Sequence, residues 1–215
     1  TDDAHKDRGV SWWDDDRMLF YSSRTGGYEI WAVRKDGSVL QQVTTTRGPA
    51  LWLPKVSPDG KRMLAHNSLG TRIFEVDGTY PLSTEDAILI GEITAADVTG
   101  VFAGHYWSPD GNRILGLAGV PPASTAVVHD LRDASFTTFA LPEHEDVLPI
   151  GWLPDGQRFL VRASGAVWWV DLPTGTSGKL PLHLGAGLAS ISRDGHQLFY
   201  VEKSSQADIW VAEFD

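Results

Sequence analysis

At 215 residues, with 42% hydrophobic and 10% aromatic side chains, the chain is long enough to bury a full core. Its formal net charge of -10, from 18 basic and 28 acidic residues with no Lys/Arg block, excludes a phosphate-tracking surface and with it nucleic acid. The absence of cysteine removes disulfides, zinc-thiolate sites and thiol nucleophiles together, and no apolar run approaches the ~18 residues of a membrane span.

Residues 1–9 are charged and polar, unlike a signal peptide, and lead into a motif that the chain writes five times. Its clearest copy is SPDGKRML from Ser57; it returns as WSPDGNRILGL from Trp107, WLPDGQRFLV from Trp152, ISRDGHQLFYV from Ile191 and, degraded, as WWDDDRMLFY from Trp12. Taking Asp15, Asp59, Asp110, Asp155 and Asp194 as markers gives intervals of 44, 51, 45 and 39 residues, the period of stacked supersecondary units. In each copy Pro presets φ, Asp caps its own backbone and Gly supplies the positive φ that closes a hairpin. Two strands meet at every copy.

In chain order, the first repeat predicts strands at Ser11–Trp13, Arg17–Ser22, Tyr28–Val33 and Val39–Thr44, the last two joined by the Lys35-Asp36-Gly37-Ser38 turn. The second repeat predicts strands at 54–57, 62–67 and 72–77. Its fourth strand falls at 80–82 or 88–93, where the long interval places extra chain, and the better-patterned Ile88–Ile93 is preferred. The third repeat gives 106–108, 113–118, 126–131 and 136–140; the fourth gives 150–153, 158–162, 166–171 and 179–182; the fifth gives 189–192, 197–202 and 208–213, one strand short. No 3.6-residue apolar stripe is long enough for a helix of about ten residues. The expected fold is therefore all-β, a single domain over 1–215 built as a β-propeller of five four-stranded antiparallel blades (repeats near 9–44, 53–93, 104–140, 148–182 and 188–215), the last short of one strand.

The run Trp107–Ile114 (WSPDGNRI) and the stretch Tyr21–Thr44 resemble the repeat of the TolB-like family, relatives of the WD-repeat propellers, and the resemblance extends over essentially the whole chain. It implies a propeller and a periplasmic or extracellular location. It assigns no catalytic residue, because the matching positions make turns and packing. The first copy departs from the family at Trp13, Asp14 and Asp16, where Ser, Pro and Gly are usual. Propellers often close by letting an N-terminal strand complete the last blade. The missing final strand therefore predicts an open edge that pairs with a segment upstream of Thr1 or with another chain, in one closing strand or as part of a larger ring.

In such propellers the blade-to-blade connections and the loops after the second strands gather on one face, where function concentrates. The candidate contact residues on those segments are Arg47, Trp52, His105, His144 and Glu145. Trp52 stands off the repeat pattern and reads as an exposed anchor. Of the nine Trp residues, Trp12, Trp107 and Trp152 share one repeat position and Trp31, Trp169 and Trp210 another, which predicts packing between blades. His66 and His129 read as structural, and Arg17, Arg62, Arg113 and Arg158 as partners of a carboxylate or carbonyl in a neighbouring blade.

Glu143-His144-Glu145-Asp146 is the densest group of metal-type ligands, but neighbours on an extended loop cannot all face one ion, so no metal or other cofactor is expected. There is no G-x-S-x-G elbow and no Ser, His and acid tied by spacing. The functional expectation is a non-catalytic module for a protein or peptide partner, with no nucleic-acid binding and no membrane insertion. The alternative from another class is a carbohydrate-binding or lyase-like propeller using the same face.

Overall fold

Each repeated turn is held by the bonds its residue types dictate. The Ser57 hydroxyl donates to Asp59 Oδ1 at 2.6 Å, the same oxygen accepts the Lys61 N–H at 3.1 Å, and Ser57 Oγ accepts the Arg62 N–H at 2.9 Å. The set recurs at Ser108, Asp110, Asn112 and Arg113 and at Ser192, Asp194, His196 and Gln197. Where Leu153 replaces the serine, the freed Arg158 N–H turns to Asp155 Oδ1 at 2.9 Å and the Arg158 Nε–H takes Oδ2 at 2.7 Å. The first copy solves the same problem with Asp14, not Asp15: Asp14 Oδ1 accepts the N–H groups of Asp16 and Arg17 at 2.9 and 2.8 Å, and Oδ2 accepts Arg17 Nε–H at 2.8 Å. Trp13 N–H bonds Arg17 O, a span one residue shorter than the Ser57 N–H to Arg62 O bond. The first turn therefore lacks the counterpart of the proline, and Asp14 is the true marker of that repeat.

The structure, a computed structural model, describes residues 4–95, 98–119, 124–141, 145–185, 187–192, 194–203 and 207–213. The first sheet has the order β1 (Asp7–Trp12), β2 (Arg17–Ser22), β3 (Glu29–Arg34) and β4 (Gln41–Gln42), followed by β5 (Thr44–Thr45). The second sheet is built from β6 (Trp52–Val56), β7 (Arg62–Asn67) and β8 (Gly70–Glu75); β9 (Leu82–Ser83) then pairs in parallel with β5, and β10 (Ile88–Ile90) pairs with β8 as the fourth strand. Both stretches weighed for the fourth strand are thus extended, and the preferred one is the sheet strand. A ribbon of β11 (Glu92–Ala95) and β12 (Val98–Val101), which the hydrophobic pattern did not reveal, takes up the rest of the long interval.

The third sheet runs β13 (Ala103–Trp107), β14 (Arg113–Ala118), β15 (Thr125–Asp130) and β16 (Phe136–Phe139). The fourth runs β17 (Leu148–Trp152), β18 (Arg158–Ala163), β19 (Ala166–Asp171) and β20 (Ser177–His183). The fifth has three strands, β21 (Ala189–Ile191), β22 (Gln197–Lys203) and β23 (Ala207–Glu213). By contact the chain forms two compact units, residues 1–92 with 101–105, and residues 93–100 with 106–215.

Within each unit the sheets stack by one rule set by the period-2 alternation of the central strands. In the first unit Leu19 and Tyr21, on one face of β2, pack against Met63 and Ala65 of β7. In the second unit Leu115 and Leu117 of β14 meet Phe159 and Val161 of β18, and Leu160 of β18 meets Leu198 and Tyr200 of β22. Within a unit, the third and fifth residues of a central strand thus face the following blade of that unit, and the second and fourth face the preceding one. Trp107 and Trp152 are 8% and 7% exposed, as blade-packing residues should be, but Trp12, at the same repeat position, is 60% exposed and is no packing residue. Of the arginines after the turns, Arg113 donates to Gly156 O of the next repeat at 3.1 Å, whereas Arg17 and Arg158 stay on the aspartate of their own turn. Asp36 and Asp77 cap their turns through the N–H groups of Ser38 and Thr79.

Candidate functional site

The first strand of the second sheet carries a bulge that decides where its side chains point. Trp52 lies opposite His66 and Lys55 opposite Leu64, with the register shifting between them, and Leu53 takes φ +51° to absorb the extra residue. Three residues apart, Trp52 and Lys55 would face opposite sides of a regular strand. The bulge puts both on the side of His66. The first strand β1 has the same device, with Arg8 opposite Tyr21, Ser11 opposite Leu19 and Gly9 at φ +63°.

On that face three rings lie in series. Trp52 meets His66 edge-on, with centroids 6.0 Å apart at 74°, and His66 lies over His105 at 5.2 Å and 37°. All three are partly buried. The imidazoles are anchored to main chain: His66 Nδ1 faces Gly104 O at 3.3 Å and His105 Nδ1 faces Ala103 O at 2.8 Å. Carbonyls only accept, so each Nδ1 carries its proton and each Nε2 is the basic nitrogen. The strand bearing His105 is itself pinned by Thr71, whose hydroxyl donates to Phe102 O at 2.9 Å and accepts the Gly104 N–H at 2.6 Å.

The electrostatics follow from burial among bases. Desolvation, then the neighbouring His66 and Lys55, push His105 down from 6.5 to about 4. Burial lowers His66, partly offset by its Gly104 bond, and burial alone lowers Lys55. The folded His105 binds its proton more weakly than the unfolded chain does. Its contribution to stability is therefore complete above about pH 6.5 and is lost as pH falls towards about 4. Unfolding free energies from urea titrations should drop across that window by about 2 kcal/mol, and the drop should shrink in His105→Gln. The turn aspartates Asp59 and Asp194, held below 3.8 by their hydrogen bonds, and Asp110, where burial pulls upward and the bonds from Ser108 and Asn112 outweigh it, give way only at lower pH.

Of the residues singled out from sequence, the structure brings together Trp52 and His105, with His66 between them. Trp52 begins a strand and does not lie in the connection before it. Arg47 is 89% exposed and ion-paired with Glu85 at 3.7 Å, and Glu145 belongs to the second unit, where its carbonyl accepts the Ser164 N–H at 2.7 Å. His144 lies outside the described residues. His66, read as structural, is the centre of the cluster, whereas His129 is buried and stacked on Phe136 as expected. Lys55 was missed. The signal that could have found the cluster is the fifth position of the central strand, where the repeats place Tyr21, His66, Leu117, Arg162 and Val201: an apolar pattern broken by His and Arg.

In the second unit Arg162 fills that position. Its side chain is 3% exposed; it donates to Gly187 O at 2.8 Å and to Asp146 Oδ2 at 2.5 Å. Asp146 holds φ +53° and its carboxylate is 57% exposed. Among the described residues no three His, Asp or Glu side chains converge on a point where an ion could sit.

Repeated antiparallel meanders stacked face to face define an all-β propeller. Its fold is TolB-like: the chain superposes on TolB from Acinetobacter baumannii with a TM-score of 0.71 at 16% identity, covering 95% of this chain and 52% of that one. On a TolB from Agrobacterium tumefaciens the TM-score is 0.75 at 13% identity, covering 98% and 78%. An oligogalacturonate lyase in complex with manganese gives 0.62 at 16%, covering 94% and 60%. In sequence, an uncharacterized Agrobacterium fabrum protein is 28% identical over 105 residues, 45% of this chain and 34% of that protein. No family model matches the chain. The chain thus spans about a third of that protein's length and about half of the Acinetobacter TolB.

Proposed function

We propose that the chain is a non-catalytic binding propeller for a peptide segment of a protein partner, acting outside the cytoplasm, with its contact surface centred on Trp52, His66 and His105. One observation carries this: Trp52 is a partly exposed indole whose position is fixed from behind by two rings, each bonded to main chain. An aromatic held in one rotamer loses little entropy on binding and makes a strong anchor. Arg47, at 89% exposure, is a rim charge of small energetic weight. The TolB-like fold supports a binding role without naming the partner.

The test is selection of displayed random peptides against the protein, followed by titration of enriched peptides against Trp52→Ala. The expected loss is about tenfold or more in Kd, with the circular dichroism spectrum preserved. A protein that enriches no peptide, or whose peptides bind Trp52→Ala equally well, is not the module described.

A further inference from the structure

The fourth strand of a blade has an open edge, and the four-stranded sheets of this chain guard theirs differently. The edge strand β4 is only Gln41-Gln42. β16 exposes Thr137 and turns Phe136 to His129 and Phe139 to Phe159. β20 exposes Lys179, Pro181 and His183. β10 has none of these guards: it ends its sheet with Ile88 62% and Leu89 44% exposed, apolar side chains on both faces of an edge. The ladder also fixes which main-chain groups are open. Val76 N–H bonds Lys61 O at 2.7 Å, so counting by twos Phe74 and Arg72 bond to β7, which leaves Ile73 and Thr71 to bond to β10. Their partners Ile88 and Ile90 therefore turn N–H and C=O inwards, and Ile90 O does lie 2.2 Å from where a Cβ on Gly70 would stand. Leu89, between them, turns both groups outwards.

We propose that an extended apolar segment of a protein partner, with basic residues at its ends, adds to β10 as a fifth strand of the second blade and pairs with Leu89. Main-chain bonds supply the attraction, and Ile88 and Leu89 give the added strand apolar side chains to cover on each face. Charge selects the occupant. Glu85 and Asp86 before the strand and Glu92 after it are exposed, with Arg47 near Glu85 alone, at 3.7 Å, so basic ends are favoured. A second copy of this chain is disfavoured by the same acids: β10 paired with itself about Leu89 sets Asp86 opposite Glu92 twice, and like charges directly opposite repel. Trp52 lies on β6, at the other end of the same sheet, so either contact can be lost while the other persists.

The probe is the peptide acetyl-Lys-Thr-Val-Thr-Val-Thr-Lys-amide at about 1 mM and low salt, read by amide exchange and chemical shifts in NMR. In the free protein the Leu89 amide should exchange far faster than those of Ile88 and Ile90. The peptide should slow Leu89 about fivefold or more, in the parent and in Trp52→Ala alike, and its counterpart with Glu in place of Lys should not. Leu89→Pro removes the outward donor without breaking a bond to β8, as an edge strand allows, so it should keep the urea midpoint and lose the peptide-induced shifts of Ile88 and Ile90. Should that variant not fold, Leu89→Lys serves, because it keeps the main chain and opposes the basic ends of the peptide. A Leu89 amide as protected as its neighbours in the free protein, or a peptide that protects nothing on β10, overturns the proposal. Equal binding of the Glu-ended peptide overturns the basic ends, and a concentration-dependent dimer abolished by Leu89→Pro would hand the edge to a second copy and overturn the partner.

Discussion

Replacing Asp146 by alanine should cost about 3 kcal/mol of stability, far more than a surface carboxylate normally contributes. The reason lies in its partner. The Arg162 side chain is 3% exposed and cannot deprotonate, and its hydrogen bonds run to Gly187 O and to Asp146 Oδ2. Its Nε is buried without a hydrogen-bond partner. With the carboxylate gone, a buried guanidinium keeps one carbonyl and loses its counter-charge, which is the expensive half of breaking a buried pair. The 57% exposure of Asp146 lets some water follow, which holds the figure at the low end of the range for such pairs. The double variant Asp146→Ala with Arg162→Met should recover most of the loss, since an apolar chain of similar length leaves no charge to compensate. Urea midpoints of the two variants against the parent decide it. A single variant within about 0.5 kcal/mol of the parent would show that the guanidinium is solvated by another route.

The parts of this fold that could be read from the sequence are those in which a residue acts locally. Asp59, Asp110 and Asp194 each close a turn with a serine two residues earlier and an N–H two residues later, so the motif alone specifies the hairpin. Where the local rule bends, the sequence misleads. In the first repeat a missing residue moves the capping role from Asp15 to Asp14, and only the bond from Trp13 N–H to Arg17 O reveals the shorter span. The bulge at Leu53 is invisible for the same reason: nothing in a leucine announces φ +51°, yet that angle turns Trp52 and Lys55 to one side. Trp12 shows the limit of repeat logic, since equal positions in a repeat have equal surroundings only where the neighbours are also repeated; Trp152 donates to Tyr106 O of the preceding blade, and Trp12 stands exposed. The cluster of His66 with His105 joins residues 39 apart in sequence, and its partnership is set by Thr71 holding β13 in place.

Gly70→Ala should be the most damaging single methyl in the first unit, at about 3 kcal/mol or more. Gly70 takes φ +134°, a conformation that side chains rarely adopt, and a Cβ there would stand 2.2 Å from Ile90 O and 2.8 Å from Gly91 Cα. Both obstacles are main chain, so no rotamer change relieves them. The strand β10 must move, and its pairing of Ile88, Leu89 and Ile90 with Ile73, Arg72 and Thr71 is lost with it. Gly26→Ala is the control, because Gly26 also has positive φ, +92°, but a Cβ there meets nothing within 4 Å; strain without collision should cost about 1 kcal/mol. Hydrogen exchange separates the two, with the Ile88 and Ile90 amides losing protection in Gly70→Ala alone. The damage should also reach the contact surface. Thr71, next in the chain, fixes Phe102 and Gly104 through its hydroxyl, so its displacement frees β13 at His105. The imidazole then regains water, and its pKa climbs from about 4 towards 6.5. If Gly70→Ala melts with Gly26→Ala and leaves His105 titrating as in the parent, the path from the hairpin through Thr71 to the ring cluster does not exist.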